Sequence, residues 1–182
     1  MADIERLAEE LQGQSRRARQ NAAEAIASLA AEDPAGIISI GDALVEAMNV
    51  PEAHTRWELL NAFSCLIGLD VNLALRAFDD AETALFDEES GPLRLAAMRY
   101  LCKLGAVSEE LSKKAWPFID EAIQCYHGDF EYKDMLLAVA DFAQGALDED
   151  VKAQLIARLE FDAENDRSAL GRRTKKIIDT LA

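Results

Sequence analysis

The sequence predicts an all-α protein in which about five helical hairpins stack into a solenoid. Five short windows each begin on a basic residue and carry apolar residues in nearly the same phase; they start at Arg19, Arg56, Arg94, Lys133 and Arg173. The steps between these windows are 37, 38, 39 and 40 residues. A period near 40 residues is typical of a pair of antiparallel helices, which cannot bury its apolar stripe alone and therefore stacks on its neighbours. No segment alternates convincingly with the period of two that marks a β-strand.

Capping residues and helix breakers place ten helices in five pairs. Asp33-Pro34, Asp70 and Ser108 are typical helix starts, and the glycines at 68, 105 and 145 mark helix ends. Pro117 lies inside the seventh helix, where we expect a kink or a restart. The predicted helices cover about 2–12, 16–31, 33–48, 53–67, 70–86, 92–105, 108–127 and 129–145, followed by a ninth from Asp148 and a last one from about Asp166 to Leu181.

Length and composition favour one domain over residues 1–182. The chain has enough residues for one core, and half of them are hydrophobic. It has no continuous apolar run of the roughly 18 residues that a membrane span needs, so we expect no membrane insertion. The N-terminal segment MADIERLAEEL lacks the pattern of a signal peptide, and the three cysteines Cys65, Cys102 and Cys125 form no close pair. A cytoplasmic protein with reduced, mostly packed thiols is expected.

The charge is strongly negative and unevenly distributed. The net charge is −15, but residues 20–166 alone carry −19 and residues 167–182 carry +4. Because phosphate contacts supply most non-specific affinity for DNA and RNA, the acidic body predicts no nucleic-acid binding. The basic cluster fits a solvated helix end or, as a sharper hypothesis, self-association with the acidic body of another copy. Its residues are Arg167, Arg172, Arg173, Lys175 and Lys176.

The repeat phase also predicts which side chains face outward. Counted from the basic residue of each window, positions +3, +4, +7 and +10 are apolar and expected in the core, including Leu29 and Leu137, whereas +2, +5 and +9 form an exposed ridge. Tyr100, at +6, is expected between repeats. This ridge is polar and acidic in the first two windows, basic in the third and apolar in the fourth. The candidate protein-binding residues on and beside it are Trp57, Glu58, Asn61, Arg99, Lys103, Met135 and Phe142.

These windows, each the second helix of its pair, resemble HEAT or armadillo-like repeats. The basic residue and the apolar phase match at Arg19, Arg56, Arg94 and Lys133, and Arg173 fits less well. The resemblance covers nearly the whole chain and implies a right-handed α-solenoid whose second helices line a concave face. It further implies that the protein binds an unidentified protein or peptide on that face.

Two other functions remain as alternatives at this point. Some HEAT-like solenoids are DNA glycosylases, for which Trp57 and Asp141 are counterparts in residue type only. An assembly chaperone for a basic client protein would share the features of a binding scaffold. No Gly-rich phosphate loop, HExxH or G-x-S-x-G motif occurs, and Cys125 and His127 would point to different sides of a helix. The acidic clusters lack the spacing of an EF-hand loop, so we expect no metal site. Because the enzyme motifs named above are missing, we also expect no catalysis and no cofactor.

Overall fold

The structure is a computed structural model that describes residues 2–164 and 167–181. Helices make up most of these residues and no strand occurs among them, so the predicted all-α class is confirmed. Asp166, the predicted start of the last helix, lies outside the described residues. Within the described part of the chain, no helix is long and apolar enough to cross a membrane.

The helices follow one another with short connections. They are α1 (Ala2–Leu11), α2 (Arg16–Glu32), a 3₁₀ helix (Pro34–Ile40), α3 (Gly41–Ala47), α4 (Ala53–Leu66), α5 (Val71–Leu75), α6 (Phe78–Leu85), α7 (Gly91–Gly105), α8 (Glu109–Cys125), α9 (Tyr132–Phe142), α10 (Glu149–Ala163) and α11 (Ala169–Leu181). The chain forms two compact units whose boundary lies between Tyr100 and Leu101, inside α7. A single domain over residues 1–182 therefore stays a prediction, and the two units are described separately.

The helix expected over residues 33–48 is interrupted, so its prediction as one helix was wrong. Asp33 caps the segment through its side chain, as expected, but the first part is a 3₁₀ helix and α3 begins only at Gly41. A Cβ atom at Gly41 would lie 2.8 Å from the Leu73 side chain of α5, so a larger residue here would require that side chain to move. The break between the 3₁₀ helix and α3 therefore coincides with a contact between two successive repeats, made by Gly41 and Leu73.

The helix expected over residues 70–86 is also divided, into α5 and α6. At the junction the amides of Arg76 and Ala77 bond to the carbonyls of Leu73 and Ala74 at 3.2 Å, three residues back instead of four. The Ala74 carbonyl also accepts a hydrogen bond from the Tyr100 hydroxyl at 2.5 Å. Tyr100 is fully buried, which confirms its expected place between repeats. The tyrosine therefore satisfies a backbone group at the break.

Replacing Tyr100 by phenylalanine is expected to lower the free energy of unfolding by about 1 kcal/mol, because a buried hydrogen bond is lost while the ring still packs. The Ala74 carbonyl keeps its bond from Ala77, which limits the loss. Urea denaturation measures the change. Tyr132→Phe is the control, since that hydroxyl lies 3.5 Å from Asp162 and should contribute less. An equal loss in both variants would contradict the assigned role of Tyr100.

In the first unit the recurring arginines connect successive repeats. The Arg19 guanidinium donates to the Gly13 carbonyl at 2.7 Å and forms an ion pair with Glu52, the N-cap residue of α4. Arg56, one repeat later, pairs with Asp87 at 2.9 Å, in the turn before α7. Two of the basic residues that reveal the repeat in the sequence, Arg19 and Arg56, therefore form structural contacts between repeats.

In the second unit, polar contacts join α8 to the start and middle of α10. Ser112 is buried, and its hydroxyl oxygen accepts from the Asp148 amide at 3.1 Å. The Trp116 indole donates to Gln154 at 2.9 Å. Helix α8 runs through Pro117 without restarting, contrary to one of the two expectations for this residue. These contacts fix the helices against which α9 and α11 pack.

Candidate binding surface

A compact polar and aromatic cluster lies on the exposed side of α4. The Trp57 indole nitrogen donates to one Glu58 oxygen at 2.7 Å, and the Asn61 amide donates to the other at 3.3 Å. The His54 ring stacks on Trp57, with 4.4 Å between the ring centroids. All four side chains are half-buried. The structure therefore brings together three residues that the sequence predicted as binding residues, and we name these four side chains the α4 cluster.

The α4 cluster keeps hydrogen-bonding capacity for a ligand. Asn61 uses one of its two amide hydrogens in the bond to Glu58, and no contact within the described residues occupies its carbonyl oxygen. A side-chain amide with a free donor and a free acceptor can bond to both the N–H and the C=O of an extended peptide. Trp57, held by Glu58, adds a fixed aromatic surface beside a carboxylate, which suits a cationic side chain.

The two predicted basic residues lie on α7. Arg99 and Lys103 are both exposed, and their spacing of four residues places them on one side of the helix. Neither forms an ion pair within the described residues. Their predicted role in binding a partner's carboxylate stays a prediction.

On α9 the predicted register was wrong. Met135 and Phe142 were expected to face outward but are 1% and 0% exposed, whereas Leu137, expected in the core, is 48% exposed. The buried positions of α9 fit the +3, +4, +7 and +10 pattern of the second and third windows if counting starts at Tyr132 instead of Lys133. Lys133 is exposed and Tyr132 is buried. Counting from Lys133 therefore placed the buried positions of α9 one residue too far toward the C-terminus.

Other residues considered for chemistry have ordinary surroundings. Cys125 is exposed, contrary to the expected packing, and His127 contacts Asp162 at 2.9 Å rather than a thiol. Burial raises the pKa of the Cys102 thiol, and the nearby charge of Asp141 raises it further. Among the described residues, no group of three His, Cys, Asp or Glu side chains is placed to hold a metal ion.

The sequence did not predict the positions of two further residues, His54 and Leu29. His54 belongs to the α4 cluster, and its position three residues before Trp57 on one helix was the available signal. Leu29, at +10 of the first window, was assigned to the core but is 41% exposed because α2 reaches its last turns there. Exposure near a helix end depends on the following connection, which the repeat phase does not describe.

The described helices and their repeated contacts define an α-helical repeat protein. Its fold is similar to that of a computationally designed armadillo repeat protein for modular peptide recognition, with a TM-score of 0.73, 18% sequence identity, and coverage of 96% of this chain and 80% of that chain. A designed armadillo repeat protein in complex with the peptide (KR)4 gives a TM-score of 0.79 at 16% identity, with coverage of 97% and 80%. No protein-family model and no curated protein matches the sequence.

The HEAT/armadillo-like repeat fold expected from the sequence is therefore confirmed. Identities below one fifth establish the fold alone. These matches give the alternatives of a DNA glycosylase and an assembly chaperone no support.

Proposed function

We propose that this protein is a non-catalytic scaffold that binds an extended, basic segment of a protein partner through the α4 cluster. The observation that carries the proposal is the arrangement of Trp57, Glu58 and Asn61, in which one carboxylate orients an indole and an amide at the surface. The amide suits the backbone of an extended peptide, and the indole and carboxylate suit a lysine or arginine side chain.

Charge supports a basic ligand. Residues 1–100, which contain the α4 cluster, carry 18 acidic and 8 basic side chains, a net charge of −10. A field of this sign attracts cationic segments and accelerates their association. The similar designed protein in complex with (KR)4 shows that this fold can hold a basic peptide.

The test is fluorescence anisotropy with labelled (KR)4 peptide as the probe. Trp57→Ala and Asn61→Ala are each expected to weaken binding by at least about tenfold, because interface energy is concentrated in a few aromatic and polar contacts. Asn72→Ala is the matched control, since Asn72 is an exposed asparagine of the same unit on α5. Its affinity should stay within about twofold of the unsubstituted protein.

Melting curves accompany each titration. The three variants should unfold within a few degrees of the unsubstituted protein, because none of these side chains is fully buried. Equal affinity in Asn61→Ala, Trp57→Ala and Asn72→Ala would show that the peptide binds elsewhere. Absence of saturable (KR)4 binding would reject a basic ligand for this scaffold.

A further inference from the structure

A groove of about 640 Å³ lies between α9 and α11, in the second unit. Its lining combines the cationic side chains of Arg172, Arg173 and Lys176 with the aliphatic side chains of Leu137 and Ala140. We propose that this groove is a second binding site, which takes an acidic peptide segment that also carries aliphatic side chains. Its chemistry is opposite in sign to that proposed for the α4 cluster.

The cations of the groove lack acidic partners. None of Arg172, Arg173 and Lys176 forms an ion pair with an acidic side chain within the described residues. One carboxylate, Asp141, also lines the groove, so three cations face one anion. Elsewhere in the second unit, by contrast, bases such as Lys113 and Arg158 pair with Asp148 and Asp120. The groove is thus a place where positive charge is left for a ligand.

Both arginines are held in place by backbone carbonyls. Arg172 donates to the Arg167 carbonyl at 2.8 Å, and Arg173 donates to the Lys133 carbonyl at 2.5 Å. Each of these bonds uses one of the five N–H donors of a guanidinium and leaves the others available. A guanidinium that is already oriented loses less entropy when it binds a carboxylate, often through two parallel hydrogen bonds.

The apolar part of the groove selects among anionic ligands. Leu137 is 48% exposed on α9, whereas Ile177 of α11, which also lines the groove, is buried. A ligand that carries charge alone would leave this leucine in water. A segment that places carboxylates on one side and aliphatic groups on the other covers both parts of the lining. An extended peptide with alternating acidic and aliphatic residues has this arrangement.

The net charge of −15 does not oppose this proposal at physiological salt. The Debye length is about 8 Å at 0.15 M, so exposed charges beyond that distance are largely screened. Among the charged side chains that line the groove itself, three are cationic and one is anionic. Affinity is therefore expected to fall as salt rises, because the pairs formed with the ligand are themselves screened.

The experiment uses the full chain and a fluorescein-labelled peptide (EL)4, with anisotropy as the readout at 0.15 M salt. Lys176→Glu should weaken binding by about tenfold, whereas Lys175→Glu should change it by less than about twofold. The two variants carry the same charge change on adjacent exposed residues, but only Lys176 lines the groove. Leu137→Ser should weaken (EL)4 and leave the weaker binding of (ES)4 unchanged.

Several results would overturn the proposal: no saturable (EL)4 binding, or equal effects of Lys176→Glu and Lys175→Glu. Salt-dependent self-association in sedimentation runs that Lys176→Glu abolishes, without (EL)4 binding, would assign the groove to a second copy of the chain instead. Trp57→Ala should not affect (EL)4, so failure at this groove and failure at the α4 cluster are distinguishable.

Discussion

Replacing Phe142 by alanine is expected to lower the free energy of unfolding by about 3–5 kcal/mol, which is typical of removing a fully buried aromatic side chain. Its ring stacks with Trp116 at a centroid distance of 6.4 Å. It also lies so close to Gly105 that a Cβ atom there would be 2.8 Å from it. Truncation to alanine would leave a cavity at these contacts, so the loss should be near the upper part of the range.

Urea denaturation followed by tryptophan fluorescence measures this loss. A Trp57→Phe background leaves Trp116, next to the substituted ring, as the single reporter. Leu137→Ala is the matched control on the same helix, and because Leu137 is 48% exposed it should cost far less. A large loss for Leu137→Ala with little loss for Phe142→Ala would restore the register predicted from Lys133 and contradict the structure.

The second large effect is expected at Glu52. Its side chain is only 6% exposed and pairs with Arg19, so Glu52→Gln leaves a largely buried guanidinium without its charged partner. We expect a loss of about 3 kcal/mol in the free energy of unfolding at pH 7. Asp42→Asn provides the control, because the Asp42–Arg76 pair is on the surface, with 94% of the Asp42 side chain exposed, and should contribute little.

The Glu52 contribution depends on pH in a defined direction. The hydrogen bond from Arg19 holds the pKa of the Glu52 carboxyl below its ordinary value of 4.5 in the folded state. The unfolded chain therefore takes up the proton first, so the stabilisation is complete above about pH 4.5 and is lost as pH falls through the folded-state pKa.

Urea titrations between pH 7 and pH 3 would follow this loss. The difference between the unsubstituted protein and Glu52→Gln should narrow as the pH falls, while both proteins lose stability through their other carboxylates. A difference that stays constant over the whole range would show that Glu52 contributes through packing and that its charge is not involved.

How far the sequence predicts the helices depends on what ends them. The ends of α4 and α7 follow from Gly68 and Gly105, and the start of α8 follows from the capping side chain of Ser108. The breaks before Gly41 and after Leu75 were missed, because no proline lies at either position and a single glycine does not by itself end a helix. They coincide with a close approach to Leu73 and with the hydroxyl of Tyr100, which are contacts between residues distant in sequence.

The two candidate sites also differ in how far the sequence predicts them. Trp57, Glu58 and Asn61 were predicted because they are close in sequence on one helix, where a spacing of three or four residues implies a shared side. Their mutual hydrogen bonds and the stacking of His54 on Trp57 could be established only from the positions of the side chains in the structure. The groove between α9 and α11 was not predicted, because its residues are about 35 apart in sequence and Leu137 had been assigned to the core.

By itself the sequence determined the helical class, the repeat of near 40 residues and the strong segregation of charge. Periodicity and composition do not depend on how the helices pack against one another, so they can be read directly from the sequence. Only the tertiary structure decided the rotation of α9, the division of the helices predicted over residues 33–48 and 70–86, and the structural contacts of Arg19 and Arg56. A rotation of one residue is about 100° on a helix, which exchanges core and surface while it leaves the pattern almost unchanged.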